Sequence, residues 1–138
     1  MSISFVVEQI SFSLPQKMKV KQWIKNTVVE EKSRVGEISL VFCSDDYLLE
    51  VNNNFLKHDY YTDIITFDYC EPGISSGDLL ISIDRVKENA ITQKVTFDEE
   101  LHRVMIHGVL HLLGYKDKTK SQEKEMRSKE NYYLLKRL

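Results

Sequence analysis

The segment that most constrains the fold runs from Thr96 to Gly114. Thr96 and Glu99 have the spacing of a capping box, which predicts that a helix begins here. Apolar residues then recur around much of the helix circumference, at Leu101, Val104, Met105, Val109, Leu112 and Leu113. A helix that is apolar on most sides must be covered by other elements. We therefore expect this helix to run through the core, with the rest of the chain packed around it.

Two histidines of this helix, His107 and His111, are four residues apart and so lie on one face. Gly114 follows the last apolar residues, where a glycine can adopt the left-handed conformation that ends a helix. The chain can then fold back and bring Asp117 to the two imidazoles. Two imidazoles and one carboxylate suit zinc, and three protein ligands leave one position open, as in catalytic sites. His102 belongs to another side of the helix, and we predict that it is exposed.

The run from His107 to Tyr115 resembles the signature of the YbeY family of bacterial single-strand-specific endoribonucleases, also called ribosomal RNA maturation factors. The matching residues are His107, Gly108, Leu110, His111, Leu112, Gly114 and Tyr115. In that family the signature ends in a third metal-binding histidine, and Asp117 occupies its position here. The resemblance implies one zinc ion per chain, held by His107, His111 and Asp117. With a carboxylate in the set, nickel, iron and manganese are also compatible.

A second segment resembles the block of the same family that leads into its third strand. The residues in register are Asn52, Phe55, Asp59, Thr62, Asp63 and Phe67. Leu56 stands where the family has an arginine that is implicated in RNA cleavage or binding, and Tyr61 replaces a proline. A leucine can neither contact a phosphate nor stabilise developing charge. The neighbouring cations Lys57 and His58 are therefore the candidates for the catalytic role of that arginine.

The rest of the chain alternates between strand and helix patterns. We predict strands from residue 3 loosely to 12, and at 37–43, 62–69 and 78–83. Helices are predicted after Pro15, at 45 to about 52, at 84–93, from Thr96 onward, and after a second capping box at Thr119 and Gln122. The order βαβαββααα predicts an α/β (α+β) fold with one small mixed four-stranded sheet and about five surrounding helices. A Pro-Gly turn at 72–73 favours an antiparallel hairpin.

Length and composition predict one globular domain, residues 1–138, which the resemblance makes a YbeY-like metal-dependent hydrolase domain. Cys43 and Cys70 lack the spacing of a disulfide framework or a cysteine zinc site. The chain shows no signal peptide and no apolar stretch of about 18 residues, so we predict a cytoplasmic protein without a membrane partner. Positions 116–137 hold eight basic and four acidic residues, although the whole chain has a net charge of −2. This asymmetry permits an anionic partner near the C-terminus.

These features predict a metal-dependent endoribonuclease that acts on single-stranded RNA. The resemblance further implies 3′-end maturation of the small-subunit ribosomal RNA, a role in ribosome quality control, and contact with the small ribosomal subunit. One alternative is a zinc peptidase, because the ligand spacing matches metzincins, although Gly108 replaces their glutamate base. The other is a non-catalytic ribosome-binding factor with a structural ion, because Leu56 and Asp117 depart from the family pattern. The oligomeric state is not defined by the sequence.

Overall fold

The computed structural model describes residues 2–57 and 61–137. Within these ranges the chain forms four strands and five helices, in the predicted order. The strands are β1 (Ser2–Glu8), β2 (Arg34–Cys43), β3 (Ile64–Asp68) and β4 (Ile74–Ser82). The helices are α1 (Lys17–Glu30), α2 (Asp45–Leu56), α3 (Ile83–Gln93), α4 (Phe97–Leu112) and α5 (Lys120–Leu134). The predicted α/β class and element order are confirmed.

The four strands form one mixed sheet in the order β1-β2-β4-β3. β1, β2 and β4 are parallel, whereas β3 pairs antiparallel with β4. A tight turn joins β3 to β4, in which the N–H of Ile74 donates to the carbonyl of Glu71 at 2.9 Å. Gly73 has a φ of 75° in this turn, a conformation that glycine adopts without strain. The predicted mixed sheet and its hairpin are both confirmed.

Several element boundaries differ from the predicted ones, and three of them differ by four residues. β1 ends at Glu8 instead of continuing toward Phe12, since the next residue has a positive φ. α2 continues a full turn past Asn52, which is buried at 2% exposure, so packing overrides the turn preference of asparagine. β4 begins directly after the hairpin turn at Ile74, because its first residues already pair with β2.

Helices cover both faces of the sheet, and α4 is the central one. Along β4, Leu79 and Ile81 belong to the main core, while Leu80 packs on the other face with Leu48 of α2. α1 follows Pro15 as predicted, and its buried residues are Val20, Trp23, Ile24, Thr27 and Val28. α4 contacts α1, α3, α5, β3 and β4 and has nine buried residues, as expected for a helix that runs through the core.

Both predicted N-terminal caps are present. The Thr96 hydroxyl accepts a hydrogen bond from the N–H of Glu99 at 3.1 Å at the start of α4. At the start of α5, Thr119 and Gln122 form a reciprocal capping box. These two caps fix where the central helix and the C-terminal helix begin. The loop that carries Asp117 lies between the end of α4 and the cap at Thr119.

Candidate metal centre

The last two turns of α4 present both histidines on one side. The rings of His107 and His111 are 4.5 Å apart between centroids. The helix ends at Gly114, whose φ of 102° confirms the predicted positive-φ stop. The N–H of Gly114 donates to the carbonyl of His111, and the N–H of Tyr115 donates to the carbonyl five residues earlier, which is the Schellman pattern. This turn redirects the chain and brings Asp117 back toward the imidazoles.

Three ligand atoms converge at this point. The Nε2 atoms of His107 and His111 are 3.0 Å apart. Oδ2 of Asp117 lies 3.3 Å from the first and 3.4 Å from the second. Ligand atoms that lie roughly 2.0–2.1 Å from one tetrahedral zinc ion are about 3.3–3.4 Å from each other. The triangle therefore has nearly the size that one ion requires, and these three residues could hold a metal ion.

Both imidazoles are oriented through their Nδ1 atoms. Nδ1 of His107 lies 2.7 Å from Oε2 of Glu130, a carboxylate that also accepts a hydrogen bond from Arg103 at 3.0 Å. Nδ1 of His111 lies 3.0 Å from the backbone carbonyl of Tyr115. Because a carbonyl and a carboxylate accept hydrogen bonds, we assign a proton to each Nδ1. Each Nε2 then faces the ligand triangle, as in metal sites whose histidines are held by an outer partner.

The two imidazoles differ in their electrostatic environment. Burial lowers the pKa of His107, but the hydrogen bond and charge of Glu130 outweigh it, and the net pKa of His107 is raised. Burial and the nearby charge of His107 lower the pKa of His111. Burial raises the pKa of Glu130, but its contacts with His107 and Arg103 outweigh burial and lower it. His107 is thus the imidazole of the pair that binds a proton more readily.

Tyr115, which orients His111, is itself anchored by Glu31 at the end of α1. The hydroxyl of Tyr115 donates to Oε1 of Glu31 at 2.7 Å. The other oxygen of Glu31 accepts from Lys129 at 3.1 Å and from the hydroxyl of Tyr133. Burial raises the pKa of Glu31, but these donors outweigh it and lower the pKa. The cluster ties the metal-binding turn to α1 and α5.

The chain is similar to known proteins in both sequence and fold. Residues 3–137 match the family model described as Endoribonuclease YbeY. The chain belongs to the YbeY endoribonuclease family. The Endoribonuclease YbeY of Cytophaga hutchinsonii is 49% identical over 134 residues, which cover 96% of this chain and 94% of that protein. The Endoribonuclease YbeY of Flavobacterium psychrophilum is 50% identical over 132 residues, with coverage of 96% and 94%.

A solved structure is also similar to this YbeY-family chain. It is the solution structure of TM1509 from Thermotoga maritima, with a TM-score of 0.72 and 29% sequence identity. The similarity covers 99% of this chain and 89% of that one. The resemblance that the signature residues indicated is therefore confirmed over nearly the full length, in both sequence and fold.

The metal centre of this family member opens into a cleft of about 830 Å³. Leu56, at the position of the family's arginine, lines this cleft with an apolar side chain. Lys116 and Lys118, which flank Asp117, line it as well. In the sequence, both lysines stand out only as members of the basic segment at positions 116–137. No local pattern distinguished them, because their place in the cleft depends on the turn at Gly114.

The two predicted catalytic candidates lie next to Leu56 in the chain. Lys57 follows α2, is exposed, and has a φ of 60°. His58 and the neighbouring Asp59 lie outside the described residues. The structure thus places Lys57 beside a cleft-lining residue, and its catalytic role stays a prediction.

His102 is half-buried, so the prediction that it is exposed was wrong. Its ring lies 5.6 Å from that of Trp23, between centroids, and Nη1 of Arg137 lies 3.0 Å from its Nδ1. Burial, followed by the charge of Arg137, lowers the pKa of His102. The cover comes from α1 and from the segment after α5, which the periodicity of α4 alone does not reveal.

Gly108 faces the sheet and not the metal centre. A Cβ atom at this position would lie 2.7 Å from Cδ1 of Ile64 and 3.0 Å from both terminal carbons of Leu79. Zinc peptidases with the same histidine spacing carry their glutamate base here. In this fold a side chain at position 108 would require the side-chain ends of Ile64 in β3 and Leu79 in β4 to shift. The position therefore supplies no proton acceptor to the candidate site.

Proposed function

We propose that residues 1–138 form one hydrolase domain that acts as a metal-dependent endoribonuclease on single-stranded RNA. The observation that carries this proposal is the convergence of His107, His111 and Asp117 in an open cleft that is also lined by two lysines. Three protein ligands leave a position of the ion free for water or substrate. The relatives from Cytophaga and Flavobacterium are named endoribonucleases, which supports RNA as the substrate.

We propose Zn²⁺ as the ion, with Ni²⁺, Fe²⁺ and Mn²⁺ as compatible alternatives. When bound, such an ion supplies positive charge that polarises the scissile phosphodiester. Glu130 and the carbonyl of Tyr115 hold the imidazoles so that each Nε2 would face the ion. Lys116 and Lys118 contact backbone phosphates along the cleft and neutralise part of their charge. Lys57 and His58 remain the candidates for a further catalytic cation in place of the family's arginine.

The geometry favours single strands, because a flexible backbone reaches an ion in a cleft more easily than a rigid duplex does. Membership of the family supports a cellular role in 3′-end maturation of the small-subunit ribosomal RNA and in ribosome quality control. It also supports the small ribosomal subunit as a partner and the cytoplasm as the location. Among the described residues, no helix combines the length and apolar content needed to cross a membrane.

One observation favours a second candidate, a non-catalytic ribosome-binding factor with a structural ion. Leu56, which the resemblance aligns with an arginine of the family, lines the cleft with an apolar side chain. A site can retain its geometry after it loses its chemistry. The two proposals differ in whether the metal-loaded protein cuts RNA.

Cleavage and metal content decide between these functions. The purified protein is analysed for bound metal and incubated with single-stranded RNA, duplex RNA and casein, with and without a chelator. We expect cleavage of single-stranded RNA that the chelator stops and that His111→Ala abolishes. His102→Ala, which removes the same side chain from another side of α4, should retain the bound metal and the cleavage. Intact RNA together with retained metal would support the binding factor, and cleaved casein would support the peptidase.

A further inference from the structure

A second, smaller pocket opens beside the metal centre, between α3, α4 and α5. It has a volume of about 300 Å³. We call it the carboxylate pocket, and its polar lining comes from Asp63, Asn89, Gln93, Glu100, Arg103, His107, Asp117, Arg127 and Glu130. Three of these residues, Asp63, His107 and Asp117, also line the cleft of the metal centre. The carboxylate pocket therefore adjoins the place where the scissile phosphate would lie.

Glu100 lines this pocket but is not one of the candidate metal ligands. It lies in the first turn of α4 and is only 4% exposed. In the part of the chain that the structure describes, no group donates a hydrogen bond to its carboxyl and no cation pairs with it. The nearby Arg103 and Arg127 instead pair with Glu130, at 3.0 Å and 3.6 Å. A largely buried carboxyl without a protein donor costs free energy unless water or a ligand in the pocket supplies the hydrogen bonds.

Asp63 is a second carboxyl in the pocket that accepts few hydrogen bonds from side chains. The amide nitrogen of Asn89 donates to its Oδ2 at 3.3 Å. Burial raises the pKa of both Asp63 and Glu100. The lining of the pocket thus combines these acceptors with the amides of Asn89 and Gln93 and with the guanidinium groups of Arg103 and Arg127, both of which pair with Glu130. A ligand that complements the acceptors must bring hydrogen-bond donors of its own.

The spacing along α4 argues against a second metal ion that would act together with the first. Glu100 precedes His107 by seven residues, which corresponds to about 10.5 Å along a helix axis. Two-metal sites hold their ions only about 3.5–4 Å apart. A volume of about 300 Å³ is at the lower end of the roughly 300–1,000 Å³ range of small-molecule pockets. These dimensions suit a flat organic group attached to the substrate.

We propose that the carboxylate pocket receives an unpaired base of the RNA next to the scissile phosphate, and that Glu100 accepts hydrogen bonds from a guanine. The Watson–Crick edge of guanine presents two adjacent donors, N1–H and the N2 amino group, which match the two oxygens of one carboxylate. Adenine and cytosine present an amino group beside an acceptor at that edge. A base can enter such a pocket only when it is unpaired. This inference rests on the proposed nuclease function, and it identifies Glu100 as the residue that determines which base the nuclease prefers.

Cleavage of defined oligonucleotides tests the base preference. Single-stranded RNAs carry one guanine at different positions, and in a matched set inosine, which lacks the N2 amino group, replaces that guanine. We expect cleavage at a fixed distance from guanine and a loss of about tenfold in rate with inosine. Glu100→Gln should make the two rates similar, whereas Glu99→Gln, a matched change in the same turn outside the pocket, should keep the difference. Equal rates for guanine and inosine in the unaltered protein would overturn the inference.

A binding experiment separates the pocket from the nuclease. Guanosine and inosine are titrated into the metal-loaded protein, and backbone amide shifts are followed by NMR. We expect guanosine to shift amides near Glu100 and Asn89, and inosine to shift them much less. Guanosine binding without RNA cleavage would support the pocket and reject the nuclease. Cleavage without guanosine binding or base preference would reject the pocket and leave the nuclease in place.

Discussion

Oε2 of Glu130 lies 2.7 Å from Nδ1 of His107, which joins α5 directly to the metal centre on α4. The other carboxylate oxygen lies 3.0 Å from Arg103 and 3.6 Å from Arg127. These cations and the imidazole lower the pKa of Glu130 despite its burial. The carboxylate therefore stays ionised and fixes the tautomer of His107. This contact makes α5 a structural part of the site as well as a basic surface.

Glu130→Gln should weaken metal binding. The amide oxygen can still accept from Nδ1, but the negative charge that raises the basicity of His107 is lost. We expect metal affinity to fall about 10- to 100-fold, the range typical of outer partners of metal ligands. Competition with a chromophoric chelator measures this change. Glu125→Gln, an exposed position on the same helix, serves as the control. Unchanged affinity in Glu130→Gln would mean that His107 does not need this carboxylate.

Asp117→His should restore the family's three-histidine set. The Asp117 side chain is 40% exposed and sits on a loop, so a larger imidazole can be accommodated. We expect one ion per chain to remain bound and the preference to move from manganese toward zinc, because imidazole suits zinc better than manganese. Elemental analysis after incubation with equal amounts of both metals provides the measurement. Loss of all bound metal would show that position 117 does not face the ion.

Lys116→Ala combined with Lys118→Ala should reduce the salt dependence of RNA binding. Each phosphate contact contributes about −0.7 to the slope of log affinity against log salt for single strands. Loss of two contacts should therefore make the slope about 1.4 shallower. Binding is measured by fluorescence anisotropy with a metal-free, uncut complex. A double variant at the exposed residues Lys19 and Lys87 should keep the original slope. An unchanged slope for the first variant would remove these lysines from the RNA path.

Glu31→Gln should destabilise the fold in a pH-dependent manner. The lowered pKa of Glu31 means that its ionised form stabilises the native state. This contribution is complete above the ordinary value of 4.5 and is lost as the pH falls through the lower folded value. We expect the free energy of unfolding to be about 1.5–3 kcal/mol lower than that of the unaltered protein at neutral pH. This difference should shrink below about pH 4.5. Urea unfolding at several pH values measures it, with the exposed Glu50→Gln as the reference. A deficit that does not change with pH would contradict this role.

The sequence alone determined α4 and most of the candidate metal centre. The cap at Thr96, the apolar stripe, the four-residue spacing of His107 and His111, and Gly114 all act over a few residues. Local interactions of this kind leave their pattern in the chain, and so the ligand triangle and the family could both be inferred before the structure. The mixed four-stranded sheet followed as well, since few topologies accommodate this succession of elements, whereas the strand order β1-β2-β4-β3 was decided by the tertiary structure.

Only the tertiary structure decided what surrounds the ligands. Glu130 contacts His107 across 23 positions of the chain, and Glu31 contacts Tyr115 across 84. Glu100 resembles any acidic residue in a first helical turn until α3 and α5 close over it. His102 and Asn52 were misjudged for the same reason, because burial by a distant element has no local sequence pattern. Contacts between separate helices depend on how the core packs, and that is a property of the whole chain.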